Sequence, residues 1–207
     1  TGQSAIDVPA AGDGVKQQRV VAYIIVWLVL MVALFYLVES RRAALATVLS
    51  GHMLIPNHFH ERIVAGTLSI HAGVLIGIAL CIGMLLFDHK RLRQLRPSWF
   101  DLPMTLYLLF PLVSGPSLDH MWQEIMRWGL PYLAGRLYLG DERGLRDALA
   151  AIVIAGLVYV PIVIYESIVG PKAYVLGVLF GYEYYGGMVR RLGGWRPEGF
   201  FNSGLVL

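Results

Sequence analysis

The chain has 207 residues, of which 57% are hydrophobic and 15% charged, against about 25% charged in an ordinary soluble domain. With a mean hydropathy of +0.60, these proportions exclude a soluble domain with a polar surface and imply an integral membrane protein. The formal charge of +3 sits in short basic clusters between apolar runs, a pattern that sets membrane orientation rather than one that binds nucleic acid.

Residues 1–19 are polar, contain glycine and lack the layout of a signal peptide. The first residue is Thr1, and the last, Leu207, falls part-way into an apolar run. The expected organisation is a polar segment, 1–19, followed by a transmembrane helical domain, 20–207, cut before its C-terminal half. On that expectation the chain is the front portion of a larger membrane protein.

Val20–Val38 is nineteen uncharged residues, which at 1.5 Å per residue spans about 28 Å, close to the thickness of a hydrocarbon core. Ala43–Ile55 is thirteen residues and contains Ser50, Gly51 and His52, a length that suits a short helix or a re-entrant piece. Leu68–Phe87 is twenty residues without formal charge, its glycines permitting close helix packing. Leu102–Val113 begins with a first-turn proline, Pro103, and is kinked or ended near Pro111. Met121–Leu139 is mixed, with Glu124, Arg127 and Arg136 among apolar residues and Pro131 interrupting the ladder; it either crosses the membrane or lies on it. Ala148–Tyr165 is eighteen apolar residues, followed by Glu166 and containing Pro161. The predicted fold is all-α: a polytopic bundle of about six membrane segments, with no internal repeat or heptad array.

Lys90, Arg91, Arg93 and Arg96 form the densest basic cluster, which places the 88–100 loop in the cytoplasm. If every segment crosses once, Arg41, Arg42 and 140–147 also lie inside, while 56–67, 114–120 and 170–199 lie outside. That scheme puts the N-terminus outside, against the charges of Lys16 and Arg19. A non-crossing 43–55 segment would bring it inside, at the cost of moving Arg41 and Arg42 out.

Arg190, Arg191 and Arg196 stand among Gly193, Gly194 and Trp195, and this segment carries the sharpest chemical signal. Guanidinium forks suit phosphate or carboxylate, glycine amides approach an oxyanion closely, and Trp195 can stack on a sugar face. The expected ligand is an anionic head group such as the diphosphate of a lipid carrier. The plainer reading is a pair of arginines anchoring a helix edge at lipid phosphates, but the predicted topology puts them outside, where the charge bias makes basic residues scarce.

Glu166 ends an apolar helix at the outer rim, either as a catalytic proton acceptor or arginine partner, or as a structural carboxylate paired with a neighbouring helix. His58, His60 and Glu61 form a compact N/O set, yet two histidines on a loop do not close a zinc site, so no metal is expected. His71, alone on an apolar run, reads as hydrogen-bonded within the bundle. Arg127 and Arg136 line a polar cavity or snorkel to an interface. Cys81 is the one cysteine, which excludes an internal disulfide and a cysteine metal cage. There is no Walker loop, dinucleotide fingerprint, G-x-S-x-G, H-E-x-x-H or Asp-x-Asp pair. No cofactor is expected.

Three stretches carry a family likeness: Trp128-Gly-Leu-Pro-Tyr-Leu-Ala-Gly-Arg-Leu-Tyr138; Gly156-Leu-Val-Tyr-Val-Pro161 leading to Tyr165-Glu166; and Gly193-Gly-Trp-Arg-Pro197 leading to Phe200 and Gly204. In this order they resemble bacterial membrane proteins of the O-antigen ligase and polymerase type, especially the exopolysaccharide-associated branch. The resemblance runs from about residue 20 onward and is specific from about residue 100. It implies a multi-pass protein of the bacterial inner (cytoplasmic) membrane, a glycosyltransferase moving or polymerising glycan from an undecaprenyl diphosphate carrier on the periplasmic face during cell-surface polysaccharide synthesis. By motif, Arg196 and Arg136 carry over as substrate-binding residues, beside Arg190, Arg191 and Trp195, with Glu166 the catalytic candidate. The family's large periplasmic loop belongs mostly to a later half, so this portion by itself is expected to be inactive. The implied partners are a lipid-linked oligosaccharide and membrane lipids. The alternatives are a transporter or flippase component for a lipid-linked glycan and a non-catalytic partner in polysaccharide export.

Overall fold

A computed structural model describes residues 13–55, 61–63, 68–114, 118–169, 190–191 and 194–195. The described residues are mostly α-helical. In chain order they form α1 (Asp13–Leu37), α2 (Ser40–Leu54), strands β1 (Glu61–Ile63) and β2 (Leu68–Ile70), α3 (Ala72–Phe87), α4 (His89–Gln94), a 3-10 turn (Trp99–Asp101) and α5 (Leu102–Ser114). They continue as α6 (Leu118–Glu124), a π-helical turn (Ile125–Gly129), α7 (Leu130–Tyr138), α8 (Glu142–Val169) and strands β3 (Arg190–Arg191) and β4 (Gly194–Trp195).

The helix order follows from a tight up-and-down chain path. α1 and α2 run antiparallel: the Tyr23 hydroxyl donates to the Leu54 carbonyl at 3.1 Å, and Trp27 Nε1 donates to Ser50 Oγ at 3.1 Å. α3 returns beside both and forms the middle of the bundle, with Val74, Ile76, Ala79 and Leu80 wholly buried. Its sequence is apolar on every side, as a helix surrounded by others requires. Small residues set the approach distances: Gly83 faces the Phe35 ring, Gly51 faces Ile76, and Gly77 faces the Met126 backbone. Where lipid surrounds such helices, packing of this kind rather than escape from water holds them together.

The basic turns gather at one end. Arg41, at the start of α2, pairs with Asp141 at 3.2 Å and Asp147 at 3.7 Å near the start of α8. The Tyr138 hydroxyl, at the end of α7, donates to Asp88 Oδ2 at 2.7 Å beyond the end of α3. Arg136 ion-pairs with Asp101, just before α5. The 39–42, 88–101 and 136–147 stretches thus share one end, which is the alternation expected if 43–55 traverses the bundle.

Four boundaries differ from expectation. Leu68–Ile70 is a strand paired antiparallel with Glu61–Ile63, so α3 starts at Ala72, where His71 Nδ1 caps it by accepting from the Gly73 N–H at 3.2 Å. α1 begins at Asp13, inside the segment 1–19 expected to be a polar N-terminal segment, because Lys16, Gln17, Gln18 and Arg19 are good helix formers. α8 begins at Glu142 and runs through Pro161 to Val169; Asp141 Oδ1 accepts from the Gly144 N–H at 2.6 Å, a cap that extends the start by a turn and a half. The Met121–Leu139 stretch begins three residues early, at Leu118, and contains the π turn. Pro131 has no N–H to offer the Arg127 carbonyl, and the Leu130 N–H instead reaches back five residues to Ile125.

Six membrane spans are more than length and composition support here. Among the described residues, α8 alone is long and apolar enough to cross a bilayer, and Val21–Leu37, Ala72–Phe87 and Trp99–Val113 are shorter apolar helices. The apolar window of α8 is only 6% buried.

Candidate functional site

Glu166 is the most unusual side chain on α8. Gly144, Ala148, Tyr159 and Glu166 are its buried residues, and their spacing of four, eleven and seven places them on one stripe at helical period. Tyr165 and Ile168 on either side of Glu166 are 57% and 74% exposed, whereas Glu166 is 0% exposed. The helix therefore turns a carboxyl into the bundle near its last turn. Burying that group as a carboxylate costs several kcal/mol unless neighbours offset it, so the position is constrained in a way a surface glutamate is not.

β3 and β4 pair antiparallel, with Arg190 opposite Trp195 and Arg191 opposite Gly194. Two residues, one of them Gly193, separate the strands. The segment expected to be an open loop thus contains a strand pair, and the glycine in a two-residue connection was the available signal for it. β4 lies against α8, so the arginine-bearing hairpin and the helix that buries Glu166 are neighbours. Arg196 lies outside the described residues, as do His58 and His60.

Arg136 belongs elsewhere. It pairs with Asp101 and donates to the Arg96 carbonyl at 3.4 Å, at the basic end where α8 begins. Glu166 lies 24 residues along α8 from Glu142, about 36 Å of helix rise. Arg136 and Glu166 therefore do not share a site, although the sequence grouped Arg136 with the substrate-binding arginines. The Asp101 carboxyl is a local hub: it accepts from the Tyr132 hydroxyl at 2.7 Å and from the Ser98 N–H at 2.7 Å. The Tyr132 hydrogen bond first, then the Ser98 amide and Arg136, hold it below the usual aspartate value.

Two constellations were not anticipated. Glu124 Oε2 accepts from the Tyr107 hydroxyl at 2.5 Å and its Oε1 lies 3.6 Å from His120 Nε2, joining α5 to α6 just before the π turn. Arg41 gathers Glu39 at 3.6 Å as well as Asp141 and Asp147. Both depend on partners distant in sequence or on which helix face turns inward. Arg127, within the π turn, sits 5.2 Å from the Trp128 ring centroid in a cation–π contact. Among the described residues no group of three or more His, Cys, Asp or Glu is placed to hold a metal.

Comparison with protein-family models, curated proteins and solved structures finds no match to this chain.

Proposed function

We propose that the protein is a multi-pass inner-membrane glycosyltransferase of the O-antigen ligase and polymerase type, acting on a glycan linked to a lipid diphosphate. The observation that carries this reading is the seating of the Arg190–Trp195 strand pair against α8, the exposed apolar helix that buries Glu166. An apolar helix surface of this extent is suited to lipid, and an acidic group on such a helix marks a functional site by default. The gathering of the basic turns at the opposite end agrees with a cytoplasmic face there and a periplasmic face at the end of α8.

In this mechanism Arg190, Arg191 and Arg196 hold the carrier diphosphate. The acceptor hydroxyl oxygen attacks the anomeric carbon, the bond from that carbon to the diphosphate oxygen breaks, and the diphosphate leaves with its lipid. Glu166 takes the hydroxyl proton. The arginines stabilise the charge that develops on the leaving group, an effect of about 3 kcal/mol per donor. Arg136, committed to Asp101 at the other end, takes no part.

The test is glycan transfer by membranes carrying the complete gene product, with a lipid-diphosphate-linked oligosaccharide as donor. Arg196→Ala at equal expression should lose transfer about a hundredfold with membrane insertion intact. Unchanged yield and product length would overturn the assignment. Carrier movement across the bilayer with no transfer by the wild type would assign the protein to transport instead.

A further inference from the structure

A groove of about 530 Å³ runs between α2 and α8. Its walls are apolar, with Leu45, Leu49 and Met53 from α2 facing Ile154, Val158 and Ile162 from α8. The two helices run parallel, both starting at the basic end, and there the lining changes character to Arg42 and Asp147. Asp147 is already engaged, 3.7 Å from Arg41. Arg42 is exposed and joins none of the ion pairs among the described residues.

A second cation stands on the same face of α8, just before the first of its lining residues. Arg143 lies one helical turn before Asp147, on the stripe that continues through Ala151, Ile154, Val158 and Ile162. It too is exposed and in no ion pair among the described residues. Two guanidinium groups at the head of an apolar slot match an amphiphile with an anionic head and a hydrocarbon tail. Forks of this kind bind phosphate oxygens in pairs, and basic pockets between membrane helices on the cytoplasmic side bind anionic phospholipid head groups.

We propose that the α2–α8 groove is a binding site for an anionic phospholipid of the cytoplasmic leaflet, its phosphate on Arg42 and Arg143 and one acyl chain along the groove. The site rests on the membrane reading above but not on the glycan chemistry, and its charged mouth lies at the opposite end of α8 from Glu166. It would fix the spacing of two helices whose ion pairs to each other, among the described residues, lie at their starts.

The experiment reconstitutes the complete gene product, in a Cys81→Ser background, into vesicles of equal phosphatidylglycerol and phosphatidylcholine. Lipid retained through detergent purification is then quantified by mass spectrometry. Phosphatidylglycerol should be enriched, and Arg42→Gln and Arg143→Gln should each lower the enrichment roughly fivefold. Ala151→Trp, which fills the groove without changing charge, should lower retained phosphatidylglycerol as well. Equal ratios in wild type and variants, with the protein still resisting carbonate extraction from membranes, would overturn the site alone. Release of the protein by carbonate would overturn the membrane reading and the site with it. A disulfide between copies through Ile154→Cys would show that a second copy covers the groove, and would also overturn the proposal.

Discussion

Gly77 of α3 lies directly under the backbone carbonyl of Met126, so close that a methyl group at position 77 would occupy the space of that oxygen. The contact joins the most buried helix to the π turn. Because the obstruction is backbone rather than the end of a flexible side chain, a rotamer change cannot relieve it.

Gly77→Ala should therefore lower stability by about 1–3 kcal/mol, the range for overpacking a filled site. Gly156→Ala provides the contrast: nothing stands within 4 Å of a Cβ there, and removing glycine from a helix interior should stabilise by about 0.5–1 kcal/mol. Thermal loss of helical circular dichroism in detergent separates the two. Equal midpoints would contradict the close approach.

The Asp101 hub predicts an acid-sensitive basic end. Its carboxyl titrates below the ordinary value of 3.8, so the folded state favours the carboxylate. The resulting stabilisation is complete above the unfolded value and is lost as pH falls through the lowered folded value. Asp101→Asn should be less stable than wild type at neutral pH and should lose less stability on acidification. Denaturant midpoints followed from neutral to strongly acidic pH test this, and parallel curves would count against it.

On the proposed topology the shared basic end faces the cytoplasm. In a Cys81→Ser background, Arg93→Cys in α4 should react with a membrane-impermeant maleimide only after cells are permeabilised. Leu118→Cys, 79% exposed at the start of α6, should react in intact cells. Labelling of both positions from the same side would rule out the alternating topology.

Glu166→Gln keeps the size of the side chain and removes its basicity. If the carboxylate takes the acceptor proton, transfer should fall about a hundredfold, with insertion and thermal midpoint little changed. A structural carboxylate would give the opposite pattern: altered stability and near-normal transfer by the folded fraction.

The parts of the fold legible in the sequence were those written in one continuous run. Val20–Val38 and Ala148–Tyr165 announce themselves by apolar length, and Arg41, Arg91 and Arg96 by clustering. The Leu68–Ile70 strand was hidden because an apolar triplet beside an apolar helix has no period of its own. The π turn was half visible: Pro131 signalled a missing hydrogen bond, but the turn also packs against Gly77, some fifty residues earlier. The pairing of Arg136 was not legible because its partner, Asp101, is 35 residues away in the chain and lies in a turn. The inward turn of Glu166 required knowing which stripe of an almost uniformly apolar helix meets its neighbours.

The π turn also sets a phase. Each residue of an α-helix advances the side-chain direction by about 100°, and a π turn absorbs an additional residue without lengthening the axis in proportion. Across Ile125–Gly129 one rod becomes two differently aimed faces: the α6 half meets α5 through Glu124 and Tyr107, and the α7 half meets α2 and α3. Removing a single residue from this turn would restore an ordinary helix and rotate one face away from its partners, so the bundle is less tolerant of length change here than a uniform helix would be.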